Sequence, residues 1–353
     1  MRYALPASAR SLLVRAYLRR LALSDRPIVL GPWRSELGFE VLYWLPFLTW
    51  AVTRYGIAPS RCLALSRGGM GRLYPAAHAV DLYTLRTVDQ VRLENQVDYE
   101  SSKMLKQFRV TAWDLQVAEE AAERQYGKGT RWHLLHPSWM YWLFDPVWHE
   151  RATLKHVAAH TDFAPLPVPA LPDGVELPTA FVAVRFYERH TFTLHDQVQK
   201  LTREMVQGVA RKYPVVLLNQ PTCYDDHADL PLAGPNIFTL PQVGPSDNLL
   251  MQAAVLARCQ AFIGTYGGVA QWALRYRKPS LSVYTQFSGT MQAHRTLSHV
   301  LAAQLGVPFE MTDLRALALW RAALGPVRVE EPNEAAESLT KVIPFEEVAH
   351  ATV

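Results

Sequence analysis

Short apolar runs of strand length alternate with helical stretches on both sides of a proline-rich break, and this pattern leaves few folds open to the chain. The break, APLPVPALPDGVELP at 164–178, holds five prolines. Proline removes a backbone donor that helix and sheet both use, so the segment suits an extended linker. Before it, Ile28-Val29-Leu30 runs into Gly31-Pro32 as a buried strand, and an apolar helix is expected from Ser35 through Trp50. RCLALS at 61–66 reads as a second strand ending in Arg67-Gly68-Gly69, and 117–126 as a surface helix. After the break, strands are expected at 181–186, 214–218, 236–240, 261–263 and 280–284, with helices over 194–212, from Ser246-Asp247-Asn248 to Arg258, and over 267–277. Such alternation implies parallel sheets in an α/β protein. The expected division is a helix within 1–24, an α/β domain over 25–163, the linker, and a second α/β domain over 179–353.

Composition supports two ordinary cores: 353 residues, 49% hydrophobic and 19% charged, which excludes disorder and fibrous classes. Cys62, Cys223 and Cys259 lie far apart with no CxxC, so neither a zinc module nor a disulfide framework is expected, and a cytoplasmic setting is. The net charge of +4 is concentrated at the start, where Arg2, Arg10, Arg15, Arg19 and Arg20 precede the first acid. The remaining chain is close to neutral, which argues against a nucleic-acid partner.

The stretch SARSLLVRAYLRRLAL at 8–23 sets Leu12, Leu13, Tyr17 and Leu21, with Val14 and Leu18, at helical spacing, while Arg15, Arg19 and Arg20 fall largely on other faces. The arginines interrupt any secretory apolar core, and no later window reaches membrane-spanning length. Two readings stay open for this basic amphipathic helix: docking on its own domain, or peripheral attachment to an anionic membrane on the cytoplasmic face. In a eukaryotic source it would also fit an organelle transit peptide.

In open α/β sheets ligands gather at the carboxyl ends of strands, where helix N-termini present free N–H groups. The richest such segment is FIGTYGGVAQWALRYRKPSLSVY at 262–284, where Gly267 and Gly268 allow a phosphate close to the backbone and Thr265 and Gln271 offer hydrogen bonds. Its G-x-x-G-G spacing, with no acid between Gly264 and Phe309, is not a dinucleotide fingerprint, and Lys278 is misplaced for a Walker loop. A turn with tight helix packing is the competing reading.

The run from Asp247 to Tyr284, with its helix, strand, glycine-rich loop, helix and Lys278-Pro279-Ser280 strand, resembles the donor-sugar half of GT-B glycosyltransferases, including heptosyltransferase-like and bacterial polysaccharide enzymes. GPWRSELGFEVLYWLPFLTW at 31–50 is similar to the first strand, loop and helix of glycosyltransferase-like bacterial proteins. The resemblance implies a GT-B fold, two Rossmann-like parallel-sheet domains facing a cleft, and a nucleotide-sugar donor held by the second. By similarity to fucosyltransferase-like members, Arg185 or Arg189 in FVAVRFYERHTF contacts the nucleotide diphosphate, a task suited to a planar guanidinium. Tyr187, Asn219, Thr265, Gly267, Gly268 and Gln271 complete the expected donor site. A surface ion pair of Arg185 with Glu188 or Asp196 is the alternative. The family's returning terminal helix is not established by the short, plain stretch at 345–352.

For the acceptor side, Glu36 is the preferred base, since it directly follows the first strand; Glu40 and His136 are alternatives. Glu36 would equally complement a helix N-terminus. Arg34, Arg67 and Trp139 are candidate acceptor contacts, although the tryptophans of 131–150 also suit a core and the loop at 66–69 a plain turn. His156 and His160 lack a third ligand, and Asp225-Asp226-His227-Ala228-Asp229 fits a polar turn, so neither a metal nor another cofactor is expected. These expectations converge on metal-independent transfer of a sugar to a hydroxyl of a glycan or lipid-linked acceptor. A sugar-nucleotide epimerase or hydrolase, or a non-catalytic glycan-binding scaffold, would use the same fold.

Overall fold

The computed structural model describes residues 5–102, 107–219, 227–287, 292–317 and 319. They fall into two compact units, one drawn from Met1–Ala170, Val243–Ala253 and Met291–Leu297, the other from Leu171–Gln242, Ala254–Thr290 and Ser298–Val353. Each is an α/β unit built on a parallel sheet, as the alternating pattern requires.

The first sheet contains β1 (Ile28–Leu30), β2 (Cys62–Ser66), β3 (His78–Asp81) and β4 (His133–Leu135), in the order β3-β2-β1-β4 and parallel throughout. Around it come α1 (Ala7–Ala22), α2 (Leu37–Phe39), α3 (Leu45–Tyr55), α4 (Val88–Ser102), α5 (Ala112–Tyr126), α6 (Ser138–Trp148) and α7 (Leu154–Ala158). One core joins Val29, Leu63, Leu65 and Val80 of the sheet to Val117, Ala118, Ala121 and Ala122 of α5. The helix expected over 35–50 is broken: Glu40–Trp44 form a wider π turn between α2 and α3. It precedes Pro46, which has no N–H to return to the carbonyl of Leu42.

The second sheet contains β5 (Val182–Arg185), β6 (Val215–Leu217), β7 (Ile237–Thr239), β8 (Ala261–Thr265), β9 (Ser280–Tyr284) and β10 (Phe309–Asp313), ordered β7-β6-β5-β8-β9-β10 and again parallel. This is the Rossmann order of two half-sheets wound outward from the middle. Its helices are α8 (Asp196–Ala210), α9 (Asn248–Leu256), α10 (Gly268–Arg275) and α11 (Gln292–Leu305), with the first residues of α9 and α11 belonging to the first unit. Val198, Met205, Val206 and Val209 of α8 pack on Val182, Val184, Val215 and Leu217. The proline-rich segment carries no helix or strand.

Helix α1 docks on its own unit, packing against α6 and α3 through Val14, Leu18 and Leu21. Leu12 and Leu13, expected on the apolar face, point outward instead. The dock is centred on Arg10, which is fully buried. Its Nη1 donates to Asp145 Oδ2 (3.0 Å) and to the Trp142 carbonyl (2.8 Å), and its Nε donates to the Leu5 carbonyl (2.9 Å). Tyr17 adds a hydrogen bond to the Leu134 carbonyl and a stacked contact with Trp139, ring centroids 4.4 Å apart. Truncating one member of a buried ion pair strands the other. Asp145→Ala should therefore lower stability by about 3–5 kcal/mol in denaturant unfolding, whereas the isosteric Asp145→Asn, which still accepts hydrogen bonds, should cost less.

Candidate functional site

In the first sheet the strand order reverses between β1 and β4, and the crevice beyond the carboxyl ends of those strands is where an open α/β sheet binds ligands. The loop after β1 enters it through Gly31, whose φ of +139° and contact with the Leu65 carbonyl exclude any side chain. Arg34 then turns inward. Its Nε donates to Asp114 Oδ1 (3.2 Å), Nη1 to Asn95 Oδ1 (2.8 Å) and Nη2 to Asp98 Oδ2 (2.6 Å). Gln107 completes the clamp, accepting from the Arg34 N–H (3.1 Å) and donating to the Pro32 carbonyl (2.7 Å). Expected as an acceptor contact, Arg34 is instead 2% exposed and fully engaged in fixing its own loop.

Glu40 is likewise turned into the unit. Ser66 and Tyr74 hydroxyls each donate to its Oε1 at 2.7 Å and Arg67 Nη1 to its Oε2 at 3.1 Å; Arg67 also bonds the Ser35 carbonyl. Burial raises the Glu40 pKa against the opposing pull of Arg67 and the two hydroxyls. With both oxygens occupied and no exposure, it is a brace between β2 and the helical segment rather than an accessible base. His136 is closed off too: Nδ1 accepts the Ser138 N–H (3.1 Å), and Nε2 lies 3.3 Å from Asp114 Oδ2. Glu36 differs from both. It is half-buried at the start of α2, with extended backbone and no side-chain capping bond.

The other acceptor-side expectations resolve into packing. Gly68 and Gly69 are buried against Leu249 and Leu250; the Gly68 carbonyl accepts the Leu250 N–H (2.8 Å) and the Gly69 N–H donates to Asp81 Oδ2 (2.6 Å). Trp139 gives a ring face to Tyr17. Further along α6, Tyr141 and Trp148 join Trp33, Phe39 and Tyr43 in an aromatic core. His156 Nε2 and His160 Nδ1 lie within hydrogen-bonding distance of the Leu143 and His156 carbonyls.

In the second sheet the order reverses between β5 and β8. The loop after β5 carries Tyr187 and Arg189, and the loop after β8 carries Gly267 and Gly268 at the start of α10. A side chain at Gly267 would strike the Tyr187 hydroxyl and the Arg189 guanidinium, so both polar groups meet the helix N-terminus there. Thr265 locks the two loops together: its Oγ1 accepts the Tyr187 N–H (3.1 Å) and donates to the Tyr187 carbonyl (3.2 Å). Gln271 is buried in the first turn of α10. Asn219 donates to the Leu230 carbonyl (2.9 Å). Arg185 is 5% exposed and pairs with Asp229 (3.0 Å) rather than with Glu188 or Asp196. Gln220, Asp225, Asp226 and the 345–352 stretch lie outside the described residues.

Asn95, Asp98, Gln107 and Asp114 were not foreseen as parts of the site. The signal for Asp114 was present: Thr111-x-x-Asp114 forms a capping box at the start of α5, which aims a carboxylate at Arg34. Asn95 and Asp98 stand three residues apart on α4, the spacing of one helical face.

No protein-family model matches the chain, and no curated protein matches it in sequence. Solved structures similar to it include a glycosyl transferase family 9 protein of Veillonella parvula, at 13% identity and a TM-score of 0.44, covering 94% of this chain and 97% of that one. The iron-containing dodecameric glycosyltransferase TibC of enterotoxigenic E. coli is similar at 12% identity and a TM-score of 0.42, over 74% of this chain. This chain spans 59% of TibC's length. E. coli heptosyltransferase WaaC, solved with ADP, is similar at 12% identity and a TM-score of 0.40, covering 85% of this chain and all of that one. The likeness is distant.

Burial opposes ionisation of Asp114, but His136, Arg34 and the Thr111 N–H outweigh it and hold the carboxyl well below the usual carboxylate range. Below an ordinary aspartate pKa of about 3.9 the unfolded chain then binds a proton that the folded chain does not, so acid draws the equilibrium toward unfolding. Asp114→Asn should be less stable than the natural protein at neutral pH and lose less stability between about pH 5 and pH 2, as read by urea unfolding across that range.

Proposed function

We propose that the chain is a glycosyltransferase that moves a sugar from a nucleotide-sugar donor to a hydroxyl of a glycan or lipid-linked acceptor. The observation that carries this reading is the meeting of the Tyr187 hydroxyl, the Arg189 guanidinium and the α10 N-terminus at Gly267, at the strand-order reversal of the second sheet. Backbone N–H groups at a helix start and a guanidinium together suit a diphosphate. Thr265, Asn219 and the Arg185–Asp229 pair hold the loops that form this cradle, and Gln271 is buried in the first turn of α10.

In the proposed step, Glu36 takes the proton of the acceptor hydroxyl as its oxygen bonds to the anomeric carbon. The bond from that carbon to the diphosphate breaks, and the electron pair leaves with the nucleotide diphosphate. Arg189 and the α10 N–H groups would supply the positive potential that the leaving group needs, and the transfer proposed is metal-independent.

A panel of nucleotide sugars tested by thermal shift should contain one that raises the melting temperature, since a ligand that binds only the folded state stabilises it. With that donor, release of nucleotide diphosphate should require an acceptor. Release without one would instead indicate a hydrolase, interconversion of the donor sugar an epimerase, and glycan binding without turnover a non-catalytic scaffold. Arg189→Gln should weaken donor binding with little change in melting temperature, and Gly267→Ala should weaken it too, because the introduced Cβ pushes against the Tyr187 hydroxyl and the Arg189 guanidinium. Unchanged donor affinity in both would remove the cradle.

Glu36→Gln keeps shape while losing basicity, and should lower kcat by about 10²–10⁴-fold with donor affinity retained. Full activity in that variant would exclude Glu36 as the base.

A further inference from the structure

The docked face of α1 leaves a second face outward, and its composition is unlike an ordinary solvated surface. Leu12 is 69% exposed and Leu23, immediately after the helix, 88%. Eleven residues is about three helical turns, so these two leucines lie on one line along the helix, with Ala16 between them. Leu13 beside that line is 49% exposed. Arg15 and Arg19 flank the line on one side and Arg20 on the other, all exposed, and no acid occurs within α1.

Neighbouring elements extend both basic flanks. Arg15, Arg19 and Arg54 of α3 all act on Tyr55, where burial raises the hydroxyl pKa and their charges draw it back. On the other side Arg20, Arg26 and Arg61 act together on His133, whose pKa is lowered by burial first and by these three charges in addition. Arg61 also donates to the Leu21 carbonyl (3.0 Å), fixing the end of α1. Asp25 is the one acid beside this surface in sequence.

We propose that this outward face of α1 seats the protein on an anionic lipid bilayer. Leu12, Leu13 and Leu23 would enter the boundary between headgroups and acyl chains, with the flanking arginines on lipid phosphates. A nucleic acid would satisfy the arginines but leave the leucines in water, so the combination favours lipid. Because the opposite face is anchored by Val14, Leu18, Leu21 and the Arg10–Asp145 pair, the surface is already formed before binding. Association then avoids the ordering cost that a free amphipathic peptide incurs. The inference is independent of the proposed activity.

The test is co-sedimentation of the full chain with phosphatidylcholine vesicles, with and without about one-third phosphatidylglycerol. The protein should bind only the anionic vesicles and release them as salt rises from about 0.05 to 0.5 M. Replacing Arg15, Arg19 and Arg20 together by Gln should weaken partitioning by about a hundredfold, each arginine accounting for roughly a fivefold change. Leu12→Ser with Leu23→Ser should weaken it as well, and neither variant should shift the melting temperature appreciably. Failure of the natural chain to bind anionic vesicles would overturn the proposal. So would equal vesicle binding by the leucine variant, or binding to a short RNA duplex with none to vesicles.

Discussion

The position of the loop after β1 depends on one buried cation. Arg34 cannot be withdrawn from Asp98, Asp114 and Asn95 without leaving carboxylates in a nearly dry interior, so it ties α4, α5 and the β1 loop together. That constraint fixes where the chain emerges at Ser35 and Glu36. Arg67 reinforces it from the second strand, joining the Ser35 carbonyl to Glu40. The result is a half-buried carboxylate at Glu36, next to a backbone carbonyl that Arg67 holds. Arg34, whose residue type suits a ligand contact, instead organises its own loop.

The second unit achieves the same end with neutral groups. A reciprocal pair of hydrogen bonds between Thr265 and the Tyr187 backbone ties the loop after β5 to the loop after β8, and the short pairings of Glu188 with Ala228 and Leu230 with Phe186 support it from the other side. Tyr187 and Arg189 are held where only glycine fits at 267.

Strongly apolar strands were legible in the sequence, as were helices with clear periodicity: β1, β2, β5, β6, β8, β9, α8 and α10 lie where alternation and turn residues place them. Elements that escaped notice have little of that signal. His78–Asp81 is a short edge strand with half-exposed residues, and α4 is polar along most of its length because it presents Asn95 and Asp98 to Arg34. At the site, residue type was readable but burial was not. Glu36 and Glu40 look alike four positions apart, yet the π turn sends Glu40 under the loop toward Ser66 and Tyr74 while Glu36 stays half-exposed. Likewise Arg185, at the end of β5, is buried against Asp229, 44 residues downstream, whereas Arg189 lies in the following loop and is half-buried.

The carboxylate of Asp145 serves three partners: Arg10 of α1, Arg151 at 2.8 Å, and the ring of His149 at 3.2 Å. Sites sharing one partner do not respond additively to substitution. In a diverging lineage position 145 is consequently not free to drift alone. Loss of its acid would be tolerated where position 10 has first given up its charge, whereas the exposed Arg151 and His149 could change in any order. Descendant sequences should carry that history as a paired exchange at 10 and 145, linking the first helix to a residue far along the chain.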